Sequence, residues 1–269
     1  MTALRQDVAP DGTTLLRSIR IESAGFSHAF STRIGPGGST DPGFDLSRPG
    51  FSPIDLDPAE SARNLEHFAR LLDSTPPTRP IASPRQVHGP VVVDPEVADQ
   101  SEADVVVSLD PNRIAAIRTA DCVGILLACP KTGAVAAIHS GWRGLVADAP
   151  GAAVRALVSR FSADPTQILA AVGPAIGSEV YEVGPEVAEI FQNNGLGSSV
   201  VQRMPKPHLN LHSAAIQRLT EAKIQQSLID GKPLCTHQDP RFFSYRGDGP
   251  ASGRLMAGII AQPREFSEK

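Results

Sequence analysis

Between residues 103 and 140 the chain carries four short apolar segments in succession: ADVVVSL (103–109), RIAAIRT (113–119), CVGILLAC (122–129) and GAVAAIHS (133–140). Turn signals part them, Asp110-Pro111-Asn112 and Pro130-Lys131-Thr132-Gly133. Short runs rich in Val, Ile and Ala between such signals predict strands. CVGILLAC does not alternate apolar with polar residues, which predicts a strand buried on both faces. A sheet of that kind needs cover from other layers.

The flanking sequence supplies it. Residues 58–72, PAESARNLEHFARLL, predict an amphipathic helix with Pro58 in its first turn and Ala62, Leu65 and Phe68 or Ala69 on one face. A small-residue helix is expected within 144–161, started or kinked by Pro150. Further helices are expected over 184–193 and 211–228. FSHAFS (26–31), ILAAVGPAIG (168–177), RFFSYR (241–246) and GRLMAGIIA (253–261) predict more strands. The first dozen residues are polar, contain Pro10 and Gly12, and predict a flexible tail. The reading is one α/β domain with central mixed β-sheets flanked by helices, after an N-terminal extension and first segment over 1–24.

Composition narrows the setting. With 269 residues the chain suits one large core. A net charge of -4 does not favour a nucleic-acid partner or an anionic membrane. Three cysteines make no disulfide scaffold and suit a reducing compartment. No signal-peptide core and no apolar run near the roughly 20 residues of a membrane helix is present. A cytoplasmic protein with no membrane partner, and no required protein partner evident, is expected.

Metal-ligand residue types stand at strand ends and turns in Gln86-Val87-His88-Gly89, Ala120-Asp121-Cys122 and His139-Ser140-Gly141-Trp142-Arg143-Gly144. Two imidazoles and a thiolate suit zinc, and three protein ligands leave a fourth position for water or substrate. Their spacing matches no short zinc-knuckle pattern. On residue types alone, a second reading stands beside it: Cys122 as a small buried hydrophobe and the histidines as polar turn residues. Arg143 suits bidentate binding of phosphate or carboxylate, and Gly141 and Gly144 permit close approach of a ligand. Asp121, with Asp104 and Glu102 behind it, is the proton-shuttle candidate. His208, His212, Cys235 and His237 form a second His/Cys-rich stretch that does not align with the first.

FSTR with its Gly/Ser loop, QVHG, EADVVVS, TADC, HSGWRG, VGPAIG with YEVG, and FFSYRGDG with GR follow one another in that order. Together, over about residues 25–262, they strongly resemble the laccase-domain family, the multicopper polyphenol oxidases also described as purine nucleoside phosphorylases and peptidoglycan editing factors. The resemblance implies a single catalytic laccase-type, cysteine-hydrolase-like domain over 25–269. It implies one zinc ion held by His88, Cys122 and His139. It implies phosphorolysis of adenosine, inosine, guanosine and 5′-methylthioadenosine, with deamination of adenosine. Cys122, His139 and Asp121 are then the catalytic candidates, and Arg33, Arg143 and Arg246 the candidates for binding the nucleoside and phosphate. The chain departs from the family pattern at GPGGS and at Asp45-Leu46, where Asn-Leu is usual; the added charge falls near a loop expected to face phosphate.

Three other functions compete. An amidase-like hydrolase acting on a UDP-muramoyl-amino-acid precursor would use the same zinc, or Cys122 as nucleophile with His139 as base. Copper-dependent phenol oxidation ranks low, because seven histidines do not supply recognisable pairs for several copper centres. A metal-stabilised binding module would lose its fold on chelation.

Overall fold

The computed structural model describes residues 2–40, 43–49 and 57–262. Asp41 and Pro42 of the Gly/Ser loop, and the end of the expected domain at 263–269, lie outside the described residues.

The strands are β1 (Arg5–Val8), β2 (Thr14–Arg17), β3 (His28–Ser31), β4 (Ile81–Ala82), β5 (Val92–Val93), β6 (Val105–Ser108), β7 (Ile114–Thr119), β8 (Val123–Ala128), β9 (Val135–Ser140), β10 (Leu169–Val172), β11 (Val200–Val201), β12 (His208–Leu209), β13 (Ile229–Asp230) and β14 (Leu255–Ile260). The helices are α1 (Ile19–Ser23), α2 (Pro58–Leu72), α3 (Trp142–Val146), α4 (Ala149–Phe161), α5 (Pro185–Asn193), α6 (Leu211–Glu221) and α7 (Tyr245–Asp248). One six-stranded sheet runs β1-β2-β3-β14-β7-β4 and the other β13-β10-β8-β9-β6-β5; β11 and β12 make a separate hairpin. Both large sheets are mixed, since β4 joins β7, β5 joins β6 and β13 joins β10 in parallel while the other pairings are antiparallel.

The strand period of two explains the layers. On β7, Ile114 and Ala116 face α2, whereas Ala115 and Ile117 face the other sheet. On β8, Val123, Ile125 and Leu127 pack on the helical side, and Leu126 and Ala128 pack between the sheets. From Val123 to Cys129 the run is apolar throughout because neither face meets water. The order of layers is α2, first sheet, second sheet, then α3, α4, α5 and α6. Each fully buried Leu or Ile adds about 1.5–3 kcal/mol by leaving water.

Four expectations are corrected. The expected flexible tail is a hairpin: β1 pairs antiparallel with β2 from Arg5↔Arg17 to Val8↔Thr14, and Gly12 turns it at φ 93. RFFSYR is not a strand; Phe242 and Phe243 are buried in a loop, and Ser244 caps α7 by accepting from Gly247 N. The helix expected over 211–228 ends at Glu221, with Lys223 at φ 74 just beyond. In α2, Ala62 is exposed and Ser61 is buried beside Phe68, Ala69 and Leu72. The segment 144–161 is two helices. Asp148, at φ 57, separates them and caps α4 by accepting from Gly151 N, which puts Pro150 in the first turn. No helix among the described residues is long and apolar enough to cross a membrane.

Candidate metal centre

Cys122 immediately precedes β8 and His139 lies near the end of β9; the register pairs Gly124 with His139 and Val123 with Ser140. Even positions on β8 and odd positions on β9 face the other sheet, so the thiol and the imidazole meet at one mouth of the space between the sheets. His88 comes from the loop that follows the Arg85↔Glu102 bridge. Gln86 anchors that loop to the end of β7: its amide accepts from Arg118 N and donates to Arg118 O, both at 2.7 Å.

Asp104, fully buried, organises the rest. Its Oδ1 accepts from His88 N at 2.9 Å and faces His139 Nδ1 at 2.7 Å. Its Oδ2 accepts from Val87 N at 3.1 Å and Gly89 N at 2.8 Å. Three successive N–H groups on one carboxylate bend the chain sharply, and His88 takes φ 63 to present them. Burial pushes the Asp104 carboxyl up, but the hydrogen bond from His139 and those from Gly89 and His88 outweigh it and hold it below the usual range. With Nδ1 engaged, His139 turns Nε2 towards Cys122 and His88.

The ligand atoms of His88, Cys122 and His139 lie within 4.8 Å of one another, and the two imidazoles meet edge to face at 4.8 Å between centroids. They grade from exposed His88 through half-buried Cys122 to buried His139, so the triad opens on one side. A tetrahedral ion with bonds of about 2.0–2.3 Å needs donors roughly 3.3–3.8 Å apart, within the reach of small side-chain adjustments here. Gly141 leaves the necessary room: a Cβ there would sit 2.7 Å from Cys122 Sγ and 3.2 Å from His88 Cδ2. Burial pushes the Cys122 thiol up, but the charge of His139 and hydrogen bonds from both histidines bring it down to about 6. Burial pulls His139 down, yet the Cys122 thiolate and Asp104 carry it up to about 9. The donor set thus includes a soft sulfur that favours the thiolate, which suits a zinc-type ion.

The triad lies on a cleft of about 700 Å³. Residues 27–262 match the family described as multi-copper polyphenol oxidoreductase laccase. The chain belongs to this family. A purine nucleoside phosphorylase of Deinococcus radiodurans is 37% identical over 246 residues, covering 91% of this chain and 93% of that one. One from Streptomyces coelicolor is 36% identical over 216 residues, covering 76% and 83%. Two solved structures share the fold: YlmD from Geobacillus stearothermophilus, with TM-score 0.81, 24% identity and 97% and 100% of the chains covered, and the hypothetical protein YfiH from Bacillus licheniformis, with TM-score 0.81, 22% identity and 96% and 99% covered.

Within this laccase-type domain the expected site residues divide. Arg143 and Arg246 line the cleft, each stacked on an aromatic ring, Trp142 at 4.3 Å and Tyr181 at 5.2 Å. Arg33 does not line it; its Nε donates to Thr40 O, its guanidinium covers Phe243 and it pairs with Asp248 at 3.8 Å. Asp121 reaches the cleft, but its carboxylate is engaged: Oδ1 accepts from Thr236 Oγ1 at 2.6 Å and Ser244 Oγ at 2.7 Å, and Oδ2 accepts from Arg246 N at 2.6 Å. It ties the TADC turn, at φ 86, to the segment that carries Arg246. Glu102 pairs with Arg85 on the surface. Asp45, fully buried, accepts from Ser47 N, Ser47 Oγ and Arg254 N and so shapes the loop. In the second His/Cys stretch, His208 Nδ1 faces Ser178 O, His237 Nδ1 faces Ser244 Oγ at 3.5 Å, and Cys235 Sγ accepts from Gly177 N.

Sequence reasoning missed Arg48, Arg118, Arg254, Tyr181 and Tyr245, which also line the cleft. One signal was available: Arg118 is the single charge inside the apolar run RIAAIRT once its leading Arg113 is set aside. Arg48 stands in a loop with nothing local to mark it.

Proposed function

We propose that this chain is a zinc-dependent purine nucleoside phosphorylase acting on adenosine, inosine, guanosine and 5′-methylthioadenosine, with an adenosine deaminase side activity. The observation that carries the reading is the meeting of a His-Cys-His donor triad, arginines and aromatic side chains in one cleft. The names of the relatives support the same reaction type. His88, Cys122 and His139 would hold the ion, which when bound supplies Lewis acidity and activates water.

In phosphorolysis a phosphate oxygen forms a bond to ribose C1′, the C1′–N9 bond breaks, and its electron pair leaves with the purine, which takes up a proton. Arg143 and Arg246 face this region and offset the charge of the anion. Their stacking on Trp142 and Tyr181 holds each guanidinium plane in place. Tyr245, 52% exposed and lining the cleft, offers an aromatic face for a purine. Asp121 positions Arg246 through its backbone N–H. In deamination, water adds at purine C6 and ammonia leaves. The sparse, free cysteines suit a reducing cytoplasmic compartment.

One observation favours a second reading. Cys122, His139 and Asp104 stand in the order nucleophile, base and orienting carboxylate, which suits amide hydrolysis of a cell-wall precursor. Incubating the metal-analysed protein with adenosine, with and without phosphate, separates the two. Adenine and ribose 1-phosphate formed only with phosphate, and lost in Cys122→Ala and His139→Ala, support phosphorolysis. No turnover of any purine nucleoside with stoichiometric zinc bound sinks it in favour of the hydrolase.

A further inference from the structure

Five arginines line the cleft without an ion-pair partner among the described residues: Arg48, Arg118, Arg143, Arg246 and Arg254. Arg143 and Arg246 are stacked on aromatic rings, Trp142 at 4.3 Å and Tyr181 at 5.2 Å. Arg48 and Arg118 share a different support. Both are fastened to Ser83: Arg48 Nη2 donates to Ser83 O, and Arg118 Nη1 donates to Ser83 Oγ at 2.7 Å. Arg118 Nε also donates to Leu46 O at 2.7 Å.

Two guanidinium groups pinned to one buried serine repel each other. Burial first, and then the charge of Arg48, pull Arg118 down to about 10, against partial support from Asp99 and Asp45. Asp99 Oδ1 also accepts from Ser83 N and Asp45 Oδ1 from Arg254 N. A half-buried like-charged pair held by neutral acceptors is costly unless an anion sits between its free N–H groups. Ordinary surface arginines of this chain show the contrast: Arg155 meets Asp148, Arg160 meets Asp94 and Arg203 meets Glu179.

We propose that Arg48 and Arg118, on their Ser83 post, form a phosphate-binding subsite of the cleft, distinct from the Arg143 and Arg246 group. Its ligand is a phosphate dianion, either free inorganic phosphate or the phosphate ester of a nucleotide. The kinetic test rests on the phosphorolysis reading; the binding test does not. Planar guanidinium forks match phosphate oxygens in a way lysine would not.

Binding is measured by calorimetry at constant ionic strength on the zinc-loaded protein, using inorganic phosphate, adenosine and adenosine 5′-monophosphate as probes. Wild type is compared with Arg48→Gln and Arg118→Gln, whose folding is checked by thermal melting. Because the Arg118 side chain also anchors Leu46, Arg48→Gln is the decisive variant should Arg118→Gln melt early. If the subsite holds free phosphate, Arg48→Gln weakens phosphate binding about tenfold or more and raises KM for phosphate with KM for adenosine unchanged. If it holds an ester, wild type binds the monophosphate more tightly than adenosine, and Arg48→Gln abolishes that advantage. Unaltered binding of both phosphate and the monophosphate in folded Arg48→Gln overturns the proposal. Phosphate bound and then lost in Arg48→Gln, without turnover of any nucleoside, keeps the subsite and refutes phosphorolysis instead.

Discussion

Replacing Asp104 by Asn removes one charge and one acceptor from the point where two of the three candidate ligands are held. The carboxylate serves four donors, two on each oxygen. An Asn presents one acceptor edge and one donor edge. With its NH2 towards Val87 and Gly89, two part-buried backbone N–H groups lose their acceptor. With its NH2 towards His139, the imidazole must offer Nδ1 as an acceptor and move its proton to Nε2, the nitrogen that faces Cys122. In that second orientation His88 N also loses its acceptor. A lost acceptor costs about 1–3 kcal/mol when fully buried, and these donors are only part-buried, so the substitution destabilises the fold by about 1–3 kcal/mol. On the zinc reading, loss of the orienting carboxylate weakens binding of the ion by about 10–100-fold. The assay is competition with a chromophoric chelator on Asp104→Asn, with thermal melting in parallel. Zinc affinity within about threefold of wild type and an unchanged melting temperature would refute both halves of the reasoning.

Other changes separate ligand geometry from fold. Gly141→Ala places a methyl 2.7 Å from Cys122 Sγ, so bound zinc, measured by atomic emission, should fall well below stoichiometric while the circular dichroism spectrum is retained. Arg33→Ala should leave KM for phosphate unchanged in steady-state kinetics, because Arg33 is stacked on Phe243 and does not line the cleft. His28 is fully buried, with Nε2 accepting from Ser18 N at 2.8 Å and Nδ1 against Phe26 O; burial, the largest cause, holds it at about 4 instead of 6.5. The unfolded chain therefore takes up this proton first as pH falls. Its contribution is fully present above about pH 6.5 and lost towards pH 4, by about 3 kcal/mol. Urea midpoints across that window should fall more steeply in wild type than in His28→Gln, and equal slopes would refute the assignment.

The strand-rich middle of the chain was legible because its apolar runs are short, continuous and parted by strong turn residues. Local chemistry sufficed there, and β6, β7, β8 and β9 fall within two residues of the expected bounds. Helix α2 was legible through Pro58 and its apolar period, although which small residue is buried depends on what the helix lies against. The β1–β2 hairpin was not legible. Its residues are mostly polar and exposed on β1, and it persists because β2 pairs with β3, whose sequence lies further along the chain. RFFSYR misled because two buried aromatic residues look alike in a strand and in a loop pinned by Asp121.

The sequence by itself determined the inventory of the site: His88, Cys122 and His139 in ordered motifs, with the glycine and arginine that follow. Their convergence was decided by tertiary structure alone. The three residues are far apart along the chain, and only antiparallel pairing of β8 with β9, together with the Asp104 carboxylate gripping the QVHG loop, brings their ligand atoms within 4.8 Å. The same holds for charge. A sequence can count arginines, but whether one is balanced by a carboxylate or left facing a cleft depends on which distant segment folds beside it. Asp121 and Arg48 carry that lesson: one accepts from three donors supplied by a distant segment, and the other, unmarked in the sequence, shares Ser83 with Arg118 and lines the cleft.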